Sequence, residues 1–126
     1  LIRAAKVIDM RGRLSLAQLA CLIKRSALFI SNDSGPVHIA AALNVPVISI
    51  FGRNDTGLSP QRWRPLGEKS YYLHYDTGCK PCLAHNCCKN FLCLHMIKPE
   101  NVFALAKKIL TDIPPAENKD AQKKEG

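Results

Sequence analysis

Residues 28–51 read LFISNDSGPVHIAAALNVPVISIF, and the reading of this stretch decides the fold. An apolar run, Ala27 to Ile30, stops abruptly at Ser31-Asn32-Asp33-Ser34-Gly35. Pro36 follows, and proline suits the first turn of a helix, where its missing N–H would have had no partner. Val37, Ile39 to Ala42 and Leu43 continue as a short apolar helix. Asn44 tolerates the left-handed conformation that ends helices, and Val45-Pro46 leads into a second strand, Val47 to Phe51. Strand, polar loop, helix and strand make a buried βαβ unit. In open α/β sheets, ligands sit where such a loop meets the carboxyl end of the strand.

The physics of that loop suits a phosphate. A helix N-terminus carries amides with no partner inside the helix, and the helix dipole makes it electropositive. Ser34 offers a hydroxyl donor, and Gly35 lets an anion come close to the backbone. Asp33 is an acceptor suited to sugar hydroxyls, and His38, one turn into the helix, can face the same spot. The same residues also make an ordinary strand-to-helix turn, with Asp33 or Ser34 as the cap and His38 half-buried.

The wording of this stretch, continued to SNDSGPVHIAAALNVPVISIFG, closely resembles glycosyltransferase family 9, the lipopolysaccharide heptosyltransferases. FGRND at 51–55, RWRPLG at 62–67 and CLHMIKPENV at 93–102 extend the likeness from Val7 to about Leu110. The resemblance implies the C-terminal half of a Rossmann-like, doubly wound α/β domain of GT-B type. It also implies transfer of a heptose from ADP-heptose to the lipopolysaccharide inner core. Asp33 would then hold sugar hydroxyls, Ser34 and Gly35 the diphosphate, and His38 would sit beside it. Arg53 and Asp55 follow as donor-side residues, with Thr56 and Gly57 behind them. The family's catalytic base is an Asp of an N-terminal lobe, so no catalytic residue is expected in this chain. The chain is expected to be a fragment without turnover of its own. No cofactor is required for catalysis in this reading. The partners it implies are the nucleotide sugar, a phosphorylated lipopolysaccharide-core acceptor and the N-terminal lobe.

Length and composition agree with one small domain. There are 126 residues, 47% of them apolar, and no apolar run long enough to cross a membrane. The opening LIRAAKVIDM lacks the pattern of a secretory leader, and the resemblance implies an expected place in the cytoplasm, at the inner face of the inner membrane where a lipid-linked acceptor is met. The net charge of +8 belongs to the folded part, because from Thr111 onward three Lys face four acidic residues. The basic residues are dispersed and aromatics are only 6%, which argues against nucleic acid as a partner. A positive face suits a phosphorylated acceptor and a peripheral contact with an anionic membrane.

In chain order, Lys6 to Met10 is a candidate strand. Ser15 with Gln18 forms a capping-box pattern before a helix striped by Leu16, Leu19, Ala20 and Ile23, with Cys21 near its apolar face. After Phe51 a long loop is expected, packed down by Trp63, then a strand Ser70 to Tyr75. A last helix starts at Pro99, with a start left frayed by Lys98 and with Lys107-Lys108 at its end. Residues 1–112 are read as one partial domain and 113–126 as a disordered tail.

Six cysteines occur, five of them in the loop 79–93, spaced C-KP-C-LAHN-C-C-KNFL-C. Cys79 and Cys82 form a C-x-x-C pair, with Cys87 and Cys93 as the best further ligands for a structural Zn²⁺. Cys88 is spare, and His85 and His95 are substitutes. Disulfides and free thiols are the alternatives, and a reducing cytosol disfavours the first of them.

Overall fold

The computed structural model describes residues 7–55, 57–82 and 84–112. Its centre is a parallel three-stranded sheet in the order β1 (Phe29–Asn32), β2 (Val47–Phe51), β3 (Ser70–His74). Phe29 pairs with Val47, and Val47 with Ser70, so the three strands run in step. The middle strand, VISIF, is buried at every position except Ile50, as expected of an apolar run covered on both faces. The alternation of the pleat puts Phe29, Val47 and Phe51 on one face and Ile48 on the other.

Helix α2 (Gly35–Ala42) makes the crossover from β1 to β2 and packs on both strands, while α1 (Leu16–Lys24) packs on α2. Ile23, Val37, Ala40, Val45 and Val47 form the core between these layers, with Leu19, Phe29, Ile39 and Leu43 against them. Ser34 is the N-cap of α2, so Pro36 stands one residue inside its first turn. Asn44 has φ 56° just past the helix, the left-handed stop expected of it. Ahead of α1 the capping box is complete. Ser15 Oγ accepts from Gln18 N–H at 3.3 Å, and Gln18 Oε1 accepts from Ser15 N–H at 2.8 Å.

Several expectations are corrected. The described part of the first candidate strand, Val7–Met10, is not a strand. Asp9 turns back onto Arg11 (2.8 Å) and Gly12 takes φ 68°, which makes a turn and leaves Val7 84% exposed. Cys21 is exposed rather than near the core, because at 3.6 residues per turn it lies roughly 200° around the helix from Leu19. The β1 strand starts at Phe29 rather than Ala27, since Ser26 still bonds back to Ile23 and Leu22 of α1. The long loop after β2 contains a four-residue helix, α3 (Pro60–Trp63). Trp63 does fasten that loop, its Nε1–H donating to Gly57 O at 2.6 Å.

β3 ends at His74, one residue short of the expected strand. After a four-residue helix, α4 (Leu92–His95), the last helix, α5 (Pro99–Asp112), has the expected bounds, but its start is held rather than frayed. Asn101 Oδ1 accepts the Lys98 N–H at 2.8 Å, one half of a capping box supplied from inside the helix. It runs past Lys107-Lys108, so no cation stands in its last turn. The tail 113–126 and residues 1–6 lie outside the described residues.

Phe51 closes the middle strand fully buried, edge-to-face on Tyr72 with ring centroids 6.1 Å apart. Phe51→Ala should therefore cost about 3–5 kcal/mol of stability, and Ser15→Ala about 1 kcal/mol. Both are read as shifts in the denaturant midpoint at unchanged slope.

Candidate functional site

Parallel strands in register end on the same edge of their sheet. The chain leaves β1 through Asp33, β2 through Gly52-Arg53 and β3 through Tyr75-Asp76. A cavity of about 280 Å³ opens at that edge, lined by all of these residues together with Asn54 and His74. Its opposite wall comes from the cysteine-rich segment: Cys79, Cys82, Cys87 and Cys93, with Phe91 and Leu94. The two walls touch where Cys93 S–H donates to Gly52 O at 2.9 Å. The Leu94 side chain packs close over Gly52, where a Cβ would lie 2.9 Å from its Cδ2.

The electrostatics of the edge are uneven. Partial burial pushes the Asp33 carboxyl above its ordinary range, while the charges of His38 and Arg53 pull it back. Asp76, on the same cavity, is driven the other way. The Gly78 N–H donates to its Oδ1 at 2.8 Å, the Asn54 side chain adds a second bond, and both hold its carboxyl below the usual range. Arg53 Nε and His74 Nε2 are buried without a hydrogen-bond partner among the described residues. His74 spends its other ring nitrogen on Phe51 O at 3.2 Å. The cavity thus holds two carboxyls of opposed tendency and a guanidinium with unused donor capacity.

The residues expected at the site divide into three groups. Asp33 and Arg53 line the cavity, as do all four candidate metal ligands. Ser34, Gly35 and His38 lie beside it on α2, not among its lining residues, and Asp55 belongs to the turn that Leu58 N–H closes on its carbonyl. Thr56 lies outside the described residues.

The helix end offers fewer amides than the sequence implied. Pro36 has no N–H and the Val37 N–H is taken by Ser34 O, which leaves that of Gly35 without a bond among the described residues. The Ser34 hydroxyl donates to Asn32 O at 3.1 Å and does not cap the helix. Gly35 has ordinary backbone angles and open space where a Cβ would stand. Sequence reasoning missed His74, Asp76 and Asn54. The signal was present in the end of the third strand, since every strand exit of a parallel sheet feeds the same edge.

Among the described residues, no three His, Cys, Asp or Glu side chains stand close enough together to hold a metal ion as they are. All six cysteines are free thiols. No helix of the described residues is long and apolar enough to cross a membrane.

A βαβ unit whose loops open at the carboxyl edge of a parallel sheet is the place where α/β proteins bind nucleotides. The sequence profile of glycosyltransferase family 9 (heptosyltransferase) matches residues 2–92, and the chain belongs to that family. It is 36% identical over 107 residues to lipooligosaccharide heptosyltransferase 2 of Campylobacter jejuni, covering 83% of this chain and 32% of that one. Lipopolysaccharide heptosyltransferase 3 of Escherichia coli is 34% identical over 116 residues, 92% of this chain and 33% of its own. Lipopolysaccharide heptosyltransferase 1 of Campylobacter coli is 32% identical over 105 residues, 83% of this chain and 29% of its own. The chain therefore spans about a third of the length of the curated relatives it matches. No solved structure gives a significant match.

The raised Asp33 value has a sign that can be checked. The folded chain takes up this proton before the unfolded chain does, so ionised Asp33 opposes folding at neutral pH. The opposition is relieved as pH falls toward the unfolded value of 3.8. Asp33→Asn should leave stability at pH 7 unchanged or raised. Arg53→Gln should move the Asp33 titration further up, as followed by carboxyl-carbon NMR. A midpoint that does not move would mean that the two groups do not share one field.

Proposed function

We propose that this chain is the donor-binding portion of a heptosyltransferase of GT-B type, which moves a heptose from ADP-heptose to the lipopolysaccharide inner core. The observation that carries the proposal is the meeting of Asp33 and Arg53 on one cavity at the carboxyl edge of the sheet. Arg53 carries an unsatisfied buried donor, suited to an anionic diphosphate. Asp33 keeps acceptor oxygens for sugar hydroxyls, and the Gly35 amide adds the positive end of α2.

Displacement at the anomeric carbon needs a base on the acceptor hydroxyl and stabilisation of the departing diphosphate. The second task falls to Arg53, the Gly35 N–H and the nearby His38. Arg53 supplies positive charge and the Gly35 N–H a donor at the leaving group, with His38 beside them, so this reading needs no metal there. The base is assigned to an N-terminal lobe outside these 126 residues, so this stretch alone is expected to give no turnover. The acceptor is a phosphorylated lipopolysaccharide core, met at the cytoplasmic face of the inner membrane. The net charge of +8 favours such an anionic partner.

A Cβ at Gly35 meets nothing within 4 Å, so Gly35→Val should leave the fold intact while adding bulk at the first residue of α2. In the complete enzyme it should weaken ADP-sugar affinity at least about tenfold, roughly 1.4 kcal/mol, by calorimetry. Asp33→Asn should weaken it similarly. His38→Ala should lower turnover by about tenfold, the same 1.4 kcal/mol taken from the transition state. Unchanged donor affinity in both Gly35→Val and Asp33→Asn would remove the site from this corner.

A further inference from the structure

Two consecutive residues of the cavity's outer wall, Asn90 and Phe91, are left-handed, with φ 47° and 55°. Asparagine takes that conformation readily, but a side chain as bulky as phenylalanine does so only at a cost. Glycine would stand there without strain. Burial does not offset the cost, because Phe91 is 40% exposed and no described residue from Thr77 to Lys98 is buried. Neither local conformation nor core packing accounts for a phenylalanine at this position.

What the fold supplies instead is a fixed place for the ring. The Phe91 N–H donates to Cys87 Sγ at 3.2 Å, and its carbonyl accepts the N–H groups of Leu94 and His95 at 2.9 and 3.0 Å. Helix α4 is itself tied to the exit of β2, where Cys93 S–H donates to Gly52 O and the Leu94 side chain packs over Gly52. Both backbone groups of Phe91 are thus committed. It lines the cavity beside Leu92 and Leu94, while Asp33, Arg53 and Asp76 line it from the strand exits. The cavity therefore sets an apolar patch against a charged one.

A sugar ring is divided in the same way. Its hydroxyls bond to carboxylates, while its C–H groups, slightly positive, are drawn to the negative face of an aromatic ring. A diphosphate is repelled by that face and is left to Arg53. We propose that Phe91 is the platform on which the sugar of the nucleotide sugar rests, its hydroxyls turned to Asp33 on the facing wall. The inference rests on the donor reading above and adds to it a residue that reads the sugar rather than the nucleotide. The cavity, about 280 Å³, falls below the usual range for a drug-sized ligand and suits one end of a nucleotide sugar.

In the complete enzyme, calorimetric titrations with ADP-heptose and with ADP separate the sugar from the nucleotide. Phe91→Leu keeps apolar bulk but loses the aromatic face, so it should weaken ADP-heptose binding about fivefold and leave ADP binding unchanged. Phe91→Tyr should bind both as the unaltered enzyme does. Phe91→Gly removes the ring and relieves the backbone, so it should show the same loss for ADP-heptose at an undiminished denaturant midpoint. If Phe91→Gly does not fold, Phe91→Leu and Phe91→Tyr still decide the matter. Unchanged ADP-heptose affinity in Phe91→Leu, with Asp33→Asn still weakened, overturns the platform and leaves the donor site standing. Equal losses for ADP and ADP-heptose put the base on the ring and overturn it too. An unaltered enzyme that binds neither probe removes the donor reading and this inference with it.

Discussion

The in-step parallel pairing of three short strands is the constraint on which the rest depends. Main-chain hydrogen bonds fix Phe29, Val47 and Ser70 on one line, and a few residues later the strands all end at one edge. Nothing else in the chain would bring Asp33, Arg53 and Asp76 together, since they are far apart in sequence and belong to different loops. The apolar middle strand makes the pairing obligatory: VISIF cannot be left in water, and its two neighbours and α2 are what cover it. The site is thus a by-product of burying the middle strand.

How much of this was legible in the sequence varies by element. The strand VISIF, the capping box at Ser15, the left-handed Asn44 and the bounds of the last helix could all be read directly, because each rests on local chemistry. Errors arose where a distant or competing contact decides. Val7 to Met10 has strand-like side chains, but Asp9 prefers its own neighbour Arg11. Asn101 rescues a helix start that Lys98 alone would leave open. Asp33 and Arg53 could be named from the loop wording. His74 and Asp76 belong to no motif, and the signal for them is the exit of the third strand onto the same sheet edge.

The amides of α2 give a second lesson about reading sites from sequence. A strand-to-helix corner promises several free donors, but Pro36 removes one and Ser34 takes up another. The charge at this corner is therefore carried mainly by side chains. Burial pushes the Asp33 carboxyl up, and the neighbouring His38 and Arg53 draw it back down. Asp76, held ionised by Gly78 and Asn54, keeps a second negative charge at the far side of the same cavity. An occupant with both an anionic and a hydroxylated part fits such a divided field better than a uniformly charged one.

The contact between Cys93 and Gly52 joins residues 41 apart in the chain. Between them the chain leaves the cavity after Asn54 and returns to it at His74, like a handle on a cup. Loop closure depends only weakly on the length of such an excursion. The far end of the handle, around the Gly67 turn that Ser70 N–H closes, is therefore free to lengthen, shorten or change over evolutionary time. The two attachment points are not, and variation between relatives should accumulate in the handle and spare its roots.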